Sequence, residues 1–319
     1  MTQLTDTGRR PAPPGGSLGP PARRPRLTQA RRELIAGYLF TSPQVIGYLA
    51  VVVVPMVALF WYSFQEFSAL SGSSEFAGTE NYQRLLDDPN LPTVLRSTGI
   101  FVVGLVVLGV PFALFLAVLV NQRIAGIKVF RAIFFAPALV SVAAWVIVWQ
   151  FMLLPDGAVN GLLRMISVDG PNWLREPVPA MVCVIVVQAL KGVGINMLIF
   201  LAALQGVPKE LTEAARVDGA GRLRTFRSVT VPMISPEILM VTILMTIGSL
   251  KVFAQVLLLT EGGPGYETTV LAYYIYRQAF GNGDFGYAGA LSVLLFLVLV
   301  VLTGVMWVAR KRVVFHESD

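Results

Sequence analysis

The chain of 319 residues is 55% apolar and only 14% charged, with a mean hydropathy of +0.67 and a net charge of +6. Soluble domains carry roughly 25% charged residues, so this composition excludes a water-soluble globular protein and points to an integral membrane protein. A single cysteine, Cys183, and a single histidine, His316, exclude a disulfide framework, a thiol-ligand metal site within the chain and histidine-based catalysis.

Residues 1–33 read as a disordered, basic cytoplasmic tail, rich in Pro, Gly and Arg and unable to bury a core. They do not form a secretory signal, because the first apolar run starts late, is long and lacks a small-residue cleavage site. Arg23, Arg24, Arg26, Arg31 and Arg32 orient that run and face anionic lipid. The membrane domain spans 34–312, and 313–319 form a second cytoplasmic tail. Six uninterrupted apolar runs fill the domain: 44–62, 100–120, 132–154, 181–204, 238–259 and 288–309. Each has about the 20 residues a helix needs to cross a bilayer. They are too long for barrel strands and do not alternate. The fold class is therefore all-α, with six transmembrane helices.

The first span carries Pro43 and Pro55, which predict a kink, and ends at an interfacial belt of Trp61, Tyr62 and Phe64. An outer loop follows, with five acids against two arginines. The second span, nearly pure Val, Leu and Gly around Pro111, reads as lipid-facing. The third places Trp145 and Trp149 on one face near Gln150, for packing, an interfacial role or stacking on a sugar ring. In the fourth, Lys191 stands at mid-bilayer beside Gln188, Gly192, Gly194 and Asn196. A lysine there costs about 3 kcal/mol on insertion scales and marks a cavity or a partner. The two glycines weaken the helix where a ligand or another backbone comes close.

Between spans four and five lies the longest charged segment flanked by apolar runs, within 206–233 and on to Pro236. Pro208 suits a first helical turn. Helical spacing puts Leu211, Ala214, Ala215 and Asp218 on one face, Gly219 and Gly221 make a corner, and a second short helix runs from Arg222 to Thr230, ending before Pro232. A bland alternative is a solvated loop in which Glu213 pairs with Arg216.

Span five holds Gly248, Ser249, Lys251, Phe253 and Gln255. Lys251 is either a cavity residue or long enough to reach the interface. Residues 260–265, Thr-Glu-Gly-Gly-Pro-Gly, break the helix. Tyr273, Tyr274, Tyr276 and Phe280 form an aromatic outer segment. Span six opens with Gly286/Ala290 and Ala288/Ser292, small residues that let helices approach. Arg310, Lys311 and Arg312 end it. Eighteen of the 25 Lys and Arg residues fall in the two tails, the loop around Arg123–Arg131 and the charged segment, against five in the opposite loops. Both termini and the segment are therefore expected to be cytoplasmic.

Glu213-Ala214-Ala215, three residues, Gly219, nine residues and Val229-x-Val231-Pro232 resemble the EAA loop of binding-protein-dependent ABC importer permeases. Phe76-x-Gly78-x-x-Asn81-Tyr82, Lys251-x-Phe253, Thr260-x-Gly262-Gly263-Pro264, Tyr276-x-x-x-Phe280 and Phe285-Gly286-Tyr287-Ala288-x-Ala290 resemble the carbohydrate-uptake group, and within it the MalF-type subunit. The resemblance covers about 35–312, without the extra N-terminal spans and large outer insertion of the maltose permease. It implies the MetI-like importer fold with cytoplasmic coupling helices, in a bacterial inner membrane. It implies a MalG-type second permease, two copies of a cytoplasmic ABC ATPase and an extracytoplasmic solute-binding protein as partners, besides membrane lipid. Glu213, Ala214, Ala215, Asp218, Gly219 and Pro232 would couple to the ATPase. Sugar contacts would fall on Gln188, Lys191, Gly192 and Ile195, and on Met245, Gly248, Ser249 and Val252, with Lys251 a further candidate for the pathway. Several of these are apolar here, which argues against maltose itself.

The chain is not expected to be an enzyme. It has no phosphate-binding G-x-x-x-x-G-K-[ST] motif, so ATP hydrolysis belongs to a partner, and it needs no cofactor, metal or nucleic acid. The substrate is expected to be a sugar or sugar-like solute. The alternatives are a glycerol-3-phosphate-type ester, which the two lysines would suit, and an ion-coupled secondary transporter. The latter lacks both an intramembrane carboxylate and evident broken helices.

Overall fold

The computed structural model describes residues 27–67, 74–122 and 125–313. Most of the expected N-terminal tail, nearly all of the C-terminal one and Arg123 lie outside them. The chain divides into two compact units between Met56 and Val57. The first holds α1 (Leu27–Tyr48), a π turn (Leu49–Val53) and the start of α2 (Val54–Tyr62). Pro55 stands two residues beyond the π turn, in which the Val54 N–H reaches back to Leu49 O. A proline ring crowds the carbonyl four residues earlier, and one widened turn relieves this without ending the helix.

The second unit begins with a short hairpin, β1 (Gln65–Phe67) paired antiparallel with β2 (Ser74–Phe76), and with α3 (Glu80–Asp87). Two 30-residue helices, α4 (Leu91–Val120) and α8 (Pro177–Gly206), form its central pair, each about 45 Å long at 1.5 Å per residue. The expectation for α4 is corrected here. Its Val/Leu/Gly sequence looked lipid-facing, yet Phe101, Leu105, Ala113, Leu116 and Ala117 are buried. Uniform apolarity suits a core helix and a lipid-facing one equally.

Against this pair pack α5 (Ile127–Leu139) and α12 (Ser235–Leu250), with α13 (Ala254–Leu259) on α6 (Val142–Met152). Between α6 and α8 lies the short α7 (Ala158–Met165). The last helix, α15 (Phe285–Val313), packs against α3, α12 and α14 (Leu271–Tyr276). Gly286, from one of the two predicted small-residue pairs, and Gly289, which is in neither, carry its close approach. A Cβ on Gly286 would lie 2.1 Å from Gln65 O, and one on Gly289 3.1 Å from Ser63 N.

Among the described residues four helices are long and apolar enough to cross a membrane: Glu33–Tyr62, Leu91–Val120, Pro177–Gly206 and Phe285–Ala309. Two bent pairs make up to six. Ile127–Leu139 and Val142–Met152 meet at 103°, and Arg222–Met233 and Ser235–Leu250 at 68°. The third apolar run is therefore not uninterrupted, and broken helices are present after all. The break sits where Val140 is extended and Ser141 caps α6, its side chain accepting from Ala144 N at 3.3 Å. Span five is likewise interrupted at 251–253, between α12 and α13. By contrast α8 runs unbroken through Gly192 and Gly194. At Gly194 another backbone does come close: a Cβ there would lie 2.4 Å from Phe134 O in α5.

Candidate functional site

The charged segment leaves α8 at Gly206 and re-enters as α9 (Lys209–Val217), with Pro208 at the N-cap position. Its end is a Schellman closure: Ala220 N–H bonds Ala215 O at 2.9 Å and Gly219 N–H bonds Arg216 O at 3.0 Å. The residue at this corner must take the left-handed conformation, and Gly219 has φ +81°. From Gly221 the chain becomes helical again through α10 (Arg222–Thr225), a π turn (Phe226–Thr230) and α11 (Val231–Met233). The predicted stop before Pro232 is thus corrected. The π turn lets the helix carry the proline, as it does before Pro55, and the break comes later, at Ile234.

Ile234 is 1% exposed and joins the cluster of Val110, Leu116, Val193, Phe200 and Leu204, with Val207 packed on its edge. Both ends of the segment are thereby anchored in the core between α4 and α8. The middle is not. Along α9, Glu210, Glu213, Ala214, Val217 and Asp218 are exposed, while Thr212 and Ala215 turn half-inward. Of the expected stripe, Leu211, Ala214 and Asp218 are exposed, and Ala215 stands half-buried at its edge. Glu213 makes no ion pair with Arg216; among the described residues the two ion pairs are Arg84–Asp284 and Arg164–Asp156.

Sequence reasoning missed Val217, which is 87% exposed. An apolar residue four positions after Glu213 in a charged helix was the available signal. The structure brings Glu213, Ala214, Val217 and Asp218 onto one open surface, backed by Gly219. Pro232 lies away from it, half-buried in the second helix.

The predicted pathway residues separate. Lys191 Nζ donates to Val140 O at 2.7 Å and Pro137 O at 3.1 Å, so it neutralises the carbonyl end of α5 at the α5–α6 break. Gln188 Oε1 accepts from Gln255 Nε2 at 2.6 Å, joining α8 to α13. Ser249 is 1% exposed and its hydroxyl donates to Thr246 O, so it lines no open surface. Gly192 is half-buried with only Asn196 near it. Gly248, Lys251 and Phe253 are exposed at the α12–α13 interruption. Trp145 Nε1 donates to Val187 O at 3.0 Å and its ring meets Trp149 edge-on, so both indoles pack on the core.

On the far side of the molecule the polar groups are satisfied within the chain. Asn81 Nδ2 donates to Gln65 O and Ser63 O, and the Ser63 and Tyr82 hydroxyls are bonded at 2.7 Å. Asp88 accepts from Tyr274 Oη at 2.6 Å, Tyr287 Oη at 2.5 Å and Asn90 N at 2.8 Å. Burial alone would raise the Asp88 carboxyl, but the two phenols and the backbone N–H groups of Asn90 and Leu91 outweigh it and hold it below the usual carboxylate range. Burial, and then the carboxylate, keep the Tyr274 phenol above its ordinary value, so it remains a donor. In the 260–265 turn, Gly262 has φ +78° and a Cβ there would lie 2.4 Å from Thr269 Oγ1.

Residues 109–313 match the family described as binding-protein-dependent transport system inner membrane component. The chain is 30% identical to the probable ABC transporter permease protein YesP of Bacillus subtilis, over 90% of this chain and 94% of that one. It is 32% identical to the trehalose/maltose transport system permease protein MalF of Thermococcus litoralis, over 85% and 92%. It is 33% identical to the lactose transport system permease protein LacF of Rhizobium radiobacter, over 87% and 95%. The crystal structure of a bacterial ABC transporter that imports alginate contains a chain of the same fold, with a TM-score of 0.79 at 23% identity over 90% of this chain and 99% of that one.

Proposed function

Because this chain belongs to the family of binding-protein-dependent inner-membrane transport components, we propose that it forms half of a sugar pathway worked by an ATPase on another chain. It is a multi-pass membrane protein and a transport subunit. Relatives named for trehalose/maltose, lactose and arabinooligosaccharides support the sugar class. A MalG-type permease would complete the pathway, two ABC ATPase subunits would drive it, and an extracytoplasmic solute-binding protein would deliver the sugar. In this reading both termini and the segment from Pro208 to Pro236 are cytoplasmic.

One observation carries the coupling role. The α9 surface of Glu213, Ala214, Val217 and Asp218 has no partner within the described chain, while Val207 and Ile234 tie its two ends into the core of the spans. A surface open outward and anchored inward transmits a push. Closure of the ATPase pair would move α9, and the helices α8 and α12 that flank it would follow. The phosphate-ester reading fits less well, because the Lys191 ammonium is engaged by Pro137 and Val140 carbonyls. Lys251 remains free to donate to sugar hydroxyls.

Uptake of labelled maltose, trehalose, lactose and glycerol 3-phosphate by membranes holding the whole importer tests the substrate class. Sugar uptake that stops on ATP depletion and survives collapse of the ion gradient is expected. Uptake of glycerol 3-phosphate alone, or loss with the gradient, would sink the reading.

A further inference from the structure

Behind the coupling segment lie two clefts of about 720 and 840 Å3. They share Val118, Gln122, Thr212, Phe226 and Thr230 as walls, and so form one trough between the last third of α4 and the inner side of α9 and 222–233. Arg131 and Lys209 line one part and Arg216 and Arg222 the other, and among the described residues no carboxylate lines either. Glu210, Glu213 and Asp218, the acids of the segment, are exposed elsewhere. Arg131 Nη2 donates to Val120 O at 2.8 Å, which caps α4, but its Nε is buried without a partner. It is the one such side-chain atom among the described residues. A buried charged donor without an acceptor is costly, and its natural complement is an anion.

The remaining wall is apolar. Pro111, Leu114 and Phe115 line it from α4 and Leu223 from α10, with Phe115 57% and Leu223 63% exposed. Positions 111–118 belong to a helix long and apolar enough to cross a membrane; with that helix in a bilayer, this wall would meet hydrocarbon and the cations, around its end, the headgroup layer. A soluble anion would use the cations and leave the apolar wall bare. A ligand with a phosphate at one end and an acyl chain at the other uses both.

We propose that this trough is a binding site for an anionic phospholipid of the leaflet on the coupling-segment side. Its phosphate lies among Arg131, Lys209, Arg216 and Arg222, and its acyl chain lies along Pro111, Leu114 and Phe115. Since α9 and the π turn Phe226–Thr230 form the opposite wall, the lipid supports the coupling segment from behind and makes its position sensitive to membrane composition. The inference is independent of which solute is carried.

The test uses the complete importer in nanodiscs of phosphatidylcholine containing a minority of phosphatidylglycerol, with retained lipid counted by native mass spectrometry. Wild type should keep phosphatidylglycerol several-fold in preference to phosphatidylcholine. The exposed pair Lys209→Gln and Arg222→Gln should remove the preference at unchanged melting temperature. Arg227→Gln, exposed on the same segment but outside the trough, should retain it. Arg131→Gln also uncaps α4 and is not the variant of choice. A wild type without preference, an equal loss in Arg227→Gln, or displacement of the retained lipid by inorganic phosphate would overturn the proposal, the last by assigning the cations to a soluble anion.

Discussion

The two ends of the molecule treat polar groups in opposite ways. At the end away from the 208–236 segment, Asp88, Tyr274, Tyr287, Asn81, Ser63, Arg84 and Asp284 are bonded to one another or to backbone, across three helices and a hairpin. At the coupling end, five cations and three acids between Pro208 and Pro236 form no ion pair among the described residues. A surface that satisfies itself is a frame. A surface that leaves its charges open has its complement elsewhere. Exposed charges are cheap in water, so the open end costs the isolated chain little, whereas an unsatisfied group in the Asp88 cluster would be expensive.

This contrast can be broken from either side. The largest effect is expected at Glu213, where Glu213→Lys should lower uptake by at least about tenfold, since like-charge contacts across an interface cost several kcal/mol. Its membrane level and melting temperature should match wild type, and normal uptake at equal levels would remove the coupling role. In the Asp88 cluster the outcome should be the reverse. Asp88→Asn replaces a two-phenol acceptor with a weaker one and should cost about 1–3 kcal/mol of stability without uncoupling ATP use from transport.

The same cluster predicts a pH dependence. The Asp88 carboxyl is held below its unfolded value, so its stabilisation is present above about pH 4 and is lost as the pH falls through the folded value. Melting curves in detergent should show an acid limb in wild type that is shallower in the Asp88→Asn variant.

Smaller effects sharpen the picture. Lys191→Met should leave the Pro137 and Val140 carbonyls without their donor. A loss of about 1–2 kcal/mol in thermal stability, with the order of preference among sugars unchanged, is expected; a changed preference would return Lys191 to the pathway. Val217→Ser should weaken ATPase binding by about 1 kcal/mol, measured by titration of the purified ATPase, and leave folding untouched.

The coupling corner was legible because its rules are local. Gly219 is needed where a helix closes with a left-handed residue, and that need is visible within a few positions of Glu213-Ala214-Ala215. The helical continuation past Pro232 was not legible, because a π turn leaves no sign in composition. Nor was the break at Val140 and Ser141. Pro137 was a signal left unread, and only the approach of α8, with Lys191 donating and Gly194 against Phe134, makes an open turn tolerable inside a membrane span. The burial of Ser249 was not legible for a similar reason, since helical spacing alone does not say which side of α12 meets a neighbour.

What the sequence by itself determined is the membrane class, the number of apolar runs and the shape of the coupling corner. Hydrocarbon thickness and backbone stereochemistry act on consecutive residues. Only the tertiary structure decided which polar groups are spent and which are free. Lys191 finds its acceptors 51 and 54 residues away, and Asp88 finds its phenols 186 and 199 residues away. Pairing at such separations depends on how the helices pack, and no local pattern encodes it.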